Sequence, residues 1–150
     1  MQKIISIILI LSAIALFAYF KIPQKSNKSL TLKIKDQNFT LEIADNPYLQ
    51  AKGLSNRSQL CPQCGMLFLF SAERKQSFWM KETLIPLDMI FIDKSGLITD
   101  IYTALPEPGK ADFQLKIYAS TRPSIYVIEL NAGTATKLNL QVGDRINLNL

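Results

Sequence analysis

The chain has 150 residues, 48% of them hydrophobic, with 17 basic and 12 acidic side chains, two cysteines and no histidine. That length accommodates one domain. The missing histidine excludes Ser-His-Asp and Cys-His nucleophile systems, a histidine general base and the Cys-x-x-Cys-His haem attachment. The net charge of +5 sits at one end: Lys3, Lys21, Lys25 and Lys28 are set aside, and residues 30–150 carry 13 basic against 12 acidic residues, a net of +1. A nucleic-acid footprint needs a basic patch within the domain, and no basic run occurs there.

Residues 4–20 form an apolar run without a charge. As a helix it spans roughly 25 Å, near the lower limit for crossing a bilayer core. Ala13-Ile14-Ala15 fits a small-x-small cleavage site, but Leu16, Phe17, Tyr19 and Phe20 continue the apolar run beyond it. We therefore expect residues 1–21 to be a retained signal anchor, a transmembrane helix, with secretion after cleavage as the alternative. The lysines beside it can meet anionic headgroups. The positive-inside rule leans towards a cytoplasmic domain. Short N-terminal tails before a first apolar segment commonly stay inside, however, so an exported domain on the periplasmic or extracellular side is expected. Residues 22–29, polar and containing Pro23, read as a tether.

Strand patterns dominate residues 30–150. Residues 30–35 alternate apolar with polar, Asp36-Gln37-Asn38 offers a turn, and residues 39–43 alternate again, which predicts a hairpin. Asp45-Asn46-Pro47 predicts a short helix that stops at Gly53. Residues 66–70 read as a strand buried on both faces, and residues 77–80 as extended. Residues 89–92 and 97–102 flank Asp93-Lys94-Ser95-Gly96, a hairpin loop. Residues 113–118 and 124–130 give two more strands. Asn131 would cap a second helix over residues 132–138, and residues 145–150 alternate as a final strand. The expected fold is mainly β (α+β): a single small antiparallel barrel or sandwich of about seven or eight short strands with two short helices. The helices are too few and too short for regular βαβ crossovers.

The densest chemistry lies between Gly65 and Asp93. Gly65-Met66-Leu67-Phe68 with Phe70, Phe78-Trp79-Met80-Lys81 with Thr83, Pro86-Leu87-Asp88 and Phe91-Ile92-Asp93 follow one another in order. Gly53-Leu54 with Arg57 precedes them. Tyr126-Val127, Glu129-Leu130, Ala132-Gly133 and Gly143-Asp144-Arg145 come after. Together this pattern resembles the family known as domain of unknown function 192, over roughly residues 31–147. The resemblance implies a small exported or membrane-anchored bacterial or archaeal protein and carries no established activity. Cys61-Pro62-Gln63-Cys64 departs from it, because many relatives have acidic or other polar residues in that loop.

Cys61 and Cys64 admit a redox dithiol, two metal ligands, or a local disulfide or idle thiols. A redox motif works at a helix N-terminus, whereas a strand is predicted to follow here. Zinc normally takes four ligands, and the chain has no histidine to complete the set, so neither a metal nor a cofactor is expected. A disulfide in an oxidising compartment fits best. Trp79, Lys81, Thr83 and Asp88, joined by Arg57, form the candidate ligand-binding site: the indole can stack on a sugar ring or a cation, Lys81 can hold an anion and Asp88 can accept hydrogen bonds. Against that stands a structural role, with Trp79 and Met80 in the core and Lys81 paired to Asp88. Glu129, inside an apolar strand, is expected to be partly buried and paired with Arg57 or Arg145. Asp88 and Asp93 as paired acid/base carboxylates are disfavoured, since Asp93 falls in a turn. The expectation is therefore a membrane-anchored extracytoplasmic domain that binds a small or glycan-like ligand, or an envelope protein. A carboxylate-based envelope hydrolase, a Cys-x-x-Cys redox protein and a purely structural module are the alternatives.

Overall fold

The structure, a computed structural model, describes residues 28–148. The predicted anchor and nearly all of the tether lie outside the described residues. Among the described residues no helix is long and apolar enough to cross a membrane.

Strands β1 (Ser29–Ile34) and β2 (Gln37–Ala44) form the predicted hairpin. Helix α1 (Pro47–Lys52) begins as its sequence dictates. The Asn46 side chain accepts a hydrogen bond from the Leu49 amide, and Pro47 fills the first turn. It ends at Gly53, whose φ of 48° suits glycine. Next come β3 (Cys64–Arg74), β4 (Ser77–Phe78), β5 (Leu87–Ile92), β6 (Ile98–Ala104), β7 (Tyr118–Ala119), β8 (Ser124–Asn131) and the short helix α2 (Thr134–Lys137).

The main sheet runs β1-β2-β3-β8-β5-β6, with β4 and β7 paired separately. It does not close: β1 and β6 remain edges, so the expected barrel is replaced by an open sheet. The burial pattern explains why. All six residues of β5 are buried, as are four consecutive residues from Gly65 in β3. A barrel wall packs one face inward, whereas these strands need cover on both faces. One packed layer holds Ile34, Leu41, Leu67, Ile90 and Ile128 under α2 and the C-terminal segment. The other holds Met66, Phe68, Met89, Phe91 and Val127 with Leu49 and Leu54. Phe78 locks the β4 segment to this second layer by edge-to-face contacts with Phe68 at 4.8 Å and Phe91 at 5.6 Å.

Four further expectations change. β2 and β3 pair in parallel through α1, so the sheet contains one crossover and is mixed. Of residues 113–118 only Tyr118 lies in a strand, β7: a 3-10 turn spans Asp112–Gln114, with Leu115 and Tyr118 buried while Phe113 and Ile117 are exposed. Asn131 ends β8 and donates to the Leu60 and Cys61 carbonyls, and Gly133, not Asn131, stands at the start of α2. Over residues 145–148, the described part of the predicted final strand, only a single bridge between Leu97 and Arg145 forms.

Candidate functional site

Gly65 shows how tightly the centre of the sheet is built. A Cβ there would lie 2.4 Å from the Glu129 carbonyl oxygen of β8, so only glycine lets β3 and β8 approach this closely. β8 thereby carries Glu129 into the second packed layer, opposite Met66 on β3 and Met89 on β5.

Trp79 emerges from β4 between two anchors. Phe78 faces the core aromatics and Met80 is buried, so Trp79 turns outward and is 42% exposed. In an extended segment alternate residues share a side, which puts Trp79 and Lys81 together. The Lys81 ammonium indeed lies 5.5 Å from the indole centroid and pairs with Asp112, not with Asp88. Glu82, at φ 53°, reverses the chain, and Asn56 donates its amide to the Glu82 carbonyl. The Ser55 and Thr83 hydroxyls both donate to the Lys81 carbonyl. The Trp79 segment is thus pinned against the turn that follows α1.

Between these walls lies a groove of about 530 Å³. Gln50, Lys52 and Gly53 form one side, Arg74, Lys75 and Trp79 another, and Lys81 and Thr83 complete the rim. Glu129 is its floor. This side chain is only 4% exposed, yet it makes no hydrogen bond to a described residue. No sealed polar side-chain atom is left unsatisfied among the described residues, so its oxygens look into the groove. Burial raises the Glu129 carboxyl to about 8, an effect partly opposed by the charge of Arg57. At neutral pH it is mostly protonated, able both to donate and to accept a hydrogen bond.

The structure divides the predicted site. Trp79, Lys81 and Thr83 come together. Asp88 does not join them: it is fully buried towards the opposite layer, where it accepts hydrogen bonds from the Thr103 hydroxyl at 2.7 Å and the Ala135 amide at 2.8 Å. Arg57 makes two bonds to Glu42, at 2.5 and 2.8 Å, and lines a separate hollow with Cys61 and Cys64. The expected Arg57–Glu129 pair is therefore long-range attraction only. Cys61 and Cys64 stand as a disulfide across the turn before β3, Cα–Cα 5.1 Å. Asp93 caps its own hairpin, accepting from the Ser95 and Leu97 amides. The groove thus contains one carboxyl and no partner for two-carboxylate hydrolysis. No group of three or more His, Cys, Asp or Glu residues among the described residues is arranged to hold a metal.

Sequence reasoning passed over Glu129, Lys52, Arg74 and Lys75 as groove residues. An acidic residue inside an apolar strand was the visible signal for Glu129. For the cations there was none, since the crossover brings α1 to the end of β3. A larger cavity of about 630 Å³ runs along the β1 edge against residues 145–147. It is lined by aliphatic side chains of the edge strand, Lys33, Lys35 and Arg145, and lacks a buried polar group, so the Glu129 groove is the stronger candidate.

Residues 30–148 match the family DUF192, described as Uncharacterized ACR. A crystal structure from Sinorhizobium meliloti 1021, described as a candidate transcription regulator, is 38% identical with a TM-score of 0.68, covering 78% of this chain and 89% of that one. A protein of unknown function from Novosphingobium aromaticivorans DSM 12444 is 29% identical with a TM-score of 0.67, covering 80% and 84%. No curated protein matches the chain.

Proposed function

The chain belongs to the DUF192 family, and from its groove we propose that it is a binding module for a small, saccharide-like ligand, held on the outer side of a membrane by its N-terminal segment. The observation that carries this reading is Trp79, held outward over a groove whose floor is a buried carboxyl without a hydrogen-bond partner among the described residues. A flat aromatic face and a few convergent hydrogen-bonding groups suit a sugar ring. Glu129 supplies a donor and an acceptor, and the Gln50 amide oxygen and the Ser55 and Thr83 hydroxyl oxygens supply acceptors, their protons being given to the Ala44, Leu69 and Lys81 carbonyls. The single carboxyl favours binding over carboxylate-pair hydrolysis. The Cys61–Cys64 disulfide supports an oxidising compartment, and with it an exported domain. The regulator description of one neighbour is not carried over, because residues 30–150 have a net charge of only +1.

Equilibrium binding of the full chain to envelope oligosaccharides, followed by calorimetry, tests the proposal. Trp79→Ala should weaken binding about tenfold or more, the scale of one lost aromatic stack, and leave the thermal midpoint almost unchanged because the ring is largely outside the core. Equal affinity in the variant would remove Trp79 from the site and, with it, this function.

A further inference from the structure

The charges around the groove are lopsided. Lys81 is matched by Asp112, but Lys52, Arg74 and Lys75 enter no ion pair among the described residues. All three line the groove, and the one carboxyl among its lining residues is Glu129. We infer that the groove selects an acidic saccharide, a sugar bearing a carboxylate, which Lys52, Arg74 and Lys75 receive at the rim while the Glu129 carboxyl hydrogen-bonds the ring hydroxyls at the floor. This inference rests on the saccharide reading above and adds the ligand's charge.

The physics of the floor is consistent with it. A neutral sugar would leave three cations unmatched across one concave surface, where like charges raise each other's potential. An ionised floor would repel an acidic ligand, whereas a protonated one donates to it. Burial keeps Glu129 protonated up to about pH 8. Arg57, on the turn beyond α1, is the charge that acts on Glu129, and Lys52, Arg74, Lys75 and Lys81 line the same groove. The neighbouring strands β3 and β5 present only Met66 and Met89 beside it. Acid binding should therefore weaken as pH rises through about 8.

The test is titration calorimetry of the full chain in detergent with matched pairs: tri-galacturonic acid against its methyl ester, and N-acetylmuramic acid against its methyl ester. We expect the acids to bind about tenfold more tightly than the esters at low salt, with the preference shrinking at high salt. A variant carrying Lys52→Ala, Arg74→Ala and Lys75→Ala should bind acid and ester alike. Glu129→Gln should keep at pH 9 the acid preference that the unaltered chain loses there. Acid and ester binding equally, both dependent on Trp79, would overturn the charge selection and leave the saccharide reading standing. Binding of no compound in the set would overturn both. An identical pH response in Glu129→Gln and the unaltered chain would remove Glu129 from the floor.

Discussion

Glu129 lies between Met66 and Met89 in the middle of the sheet, and its proton links the groove to the stability of the whole domain. A glutamate in the unfolded chain titrates near 4.5, and in the fold it titrates near 8. Between those values the unfolded state binds fewer protons, so stability falls as pH rises. The contribution is fully present below about 4.5 and lost once pH passes about 8. Its full size is of the order of 5 kcal/mol. Glu129→Gln removes the titration and keeps the shape. Urea melts at pH 5, 7 and 9 should therefore show the variant gaining on the unaltered chain by several kcal/mol across the series. A constant difference between the two would mean that the carboxylate is not buried as charge. Among single residues, Trp79 and Lys81 were readable, because strand alternation alone places them on one side. Asp88 and Arg57 are charged residues of the motifs that accompany that cluster. The fold uses them elsewhere, since each already has strong partners, in Thr103 and Ala135 for Asp88 and in Glu42 for Arg57.

At the scale of elements, Asp88 is an anchor. Helix α2 has only four residues, too few to be stable alone. Its Ala135 amide is held by the Asp88 carboxylate of β5, which also receives the Thr103 hydroxyl of β6. Asp88→Ala would strand both donors in a buried site, at about 2–4 kcal/mol of stability. We expect a lower denaturation midpoint with saccharide binding unchanged; lost binding at an unchanged midpoint would return Asp88 to the site. Local signals were strong where the chemistry was local. The Asn46-Pro47 start and Gly53 stop of α1, the first hairpin and the Asp93–Gly96 turn all formed as read. The parallel β2–β3 pairing was not legible, because it depends on where distant strands find cover rather than on any adjacent turn. The alternation over residues 113–118 misled for a related reason: Leu115 and Tyr118 are the pair buried, a spacing that a strand does not produce.

At the scale of the molecule, the sheet is covered on both faces and open at both edges, and its core does not depend on the Cys61–Cys64 bond. That bond closes a loop between residues only three apart, so it constrains the unfolded chain little, by about 2 kcal/mol. Reduction should lower the denaturation midpoint slightly and leave the domain folded. The bond is more informative as a reporter of compartment. Disulfides persist in oxidising surroundings, and the apolar run at residues 4–20 proposes that the domain is delivered there. Alkylation of intact cells with a mass-tagged maleimide reads the two together. If the domain is exported and oxidised, Cys61 and Cys64 acquire the tag only after reduction. Immediate tagging without reductant would mean free thiols, which contradicts an oxidised exported domain and favours the cytoplasmic orientation that Lys21, Lys25 and Lys28 allow under the positive-inside rule. In that orientation an envelope saccharide could not reach Trp79, so this experiment decides which side of the membrane a ligand must be sought on.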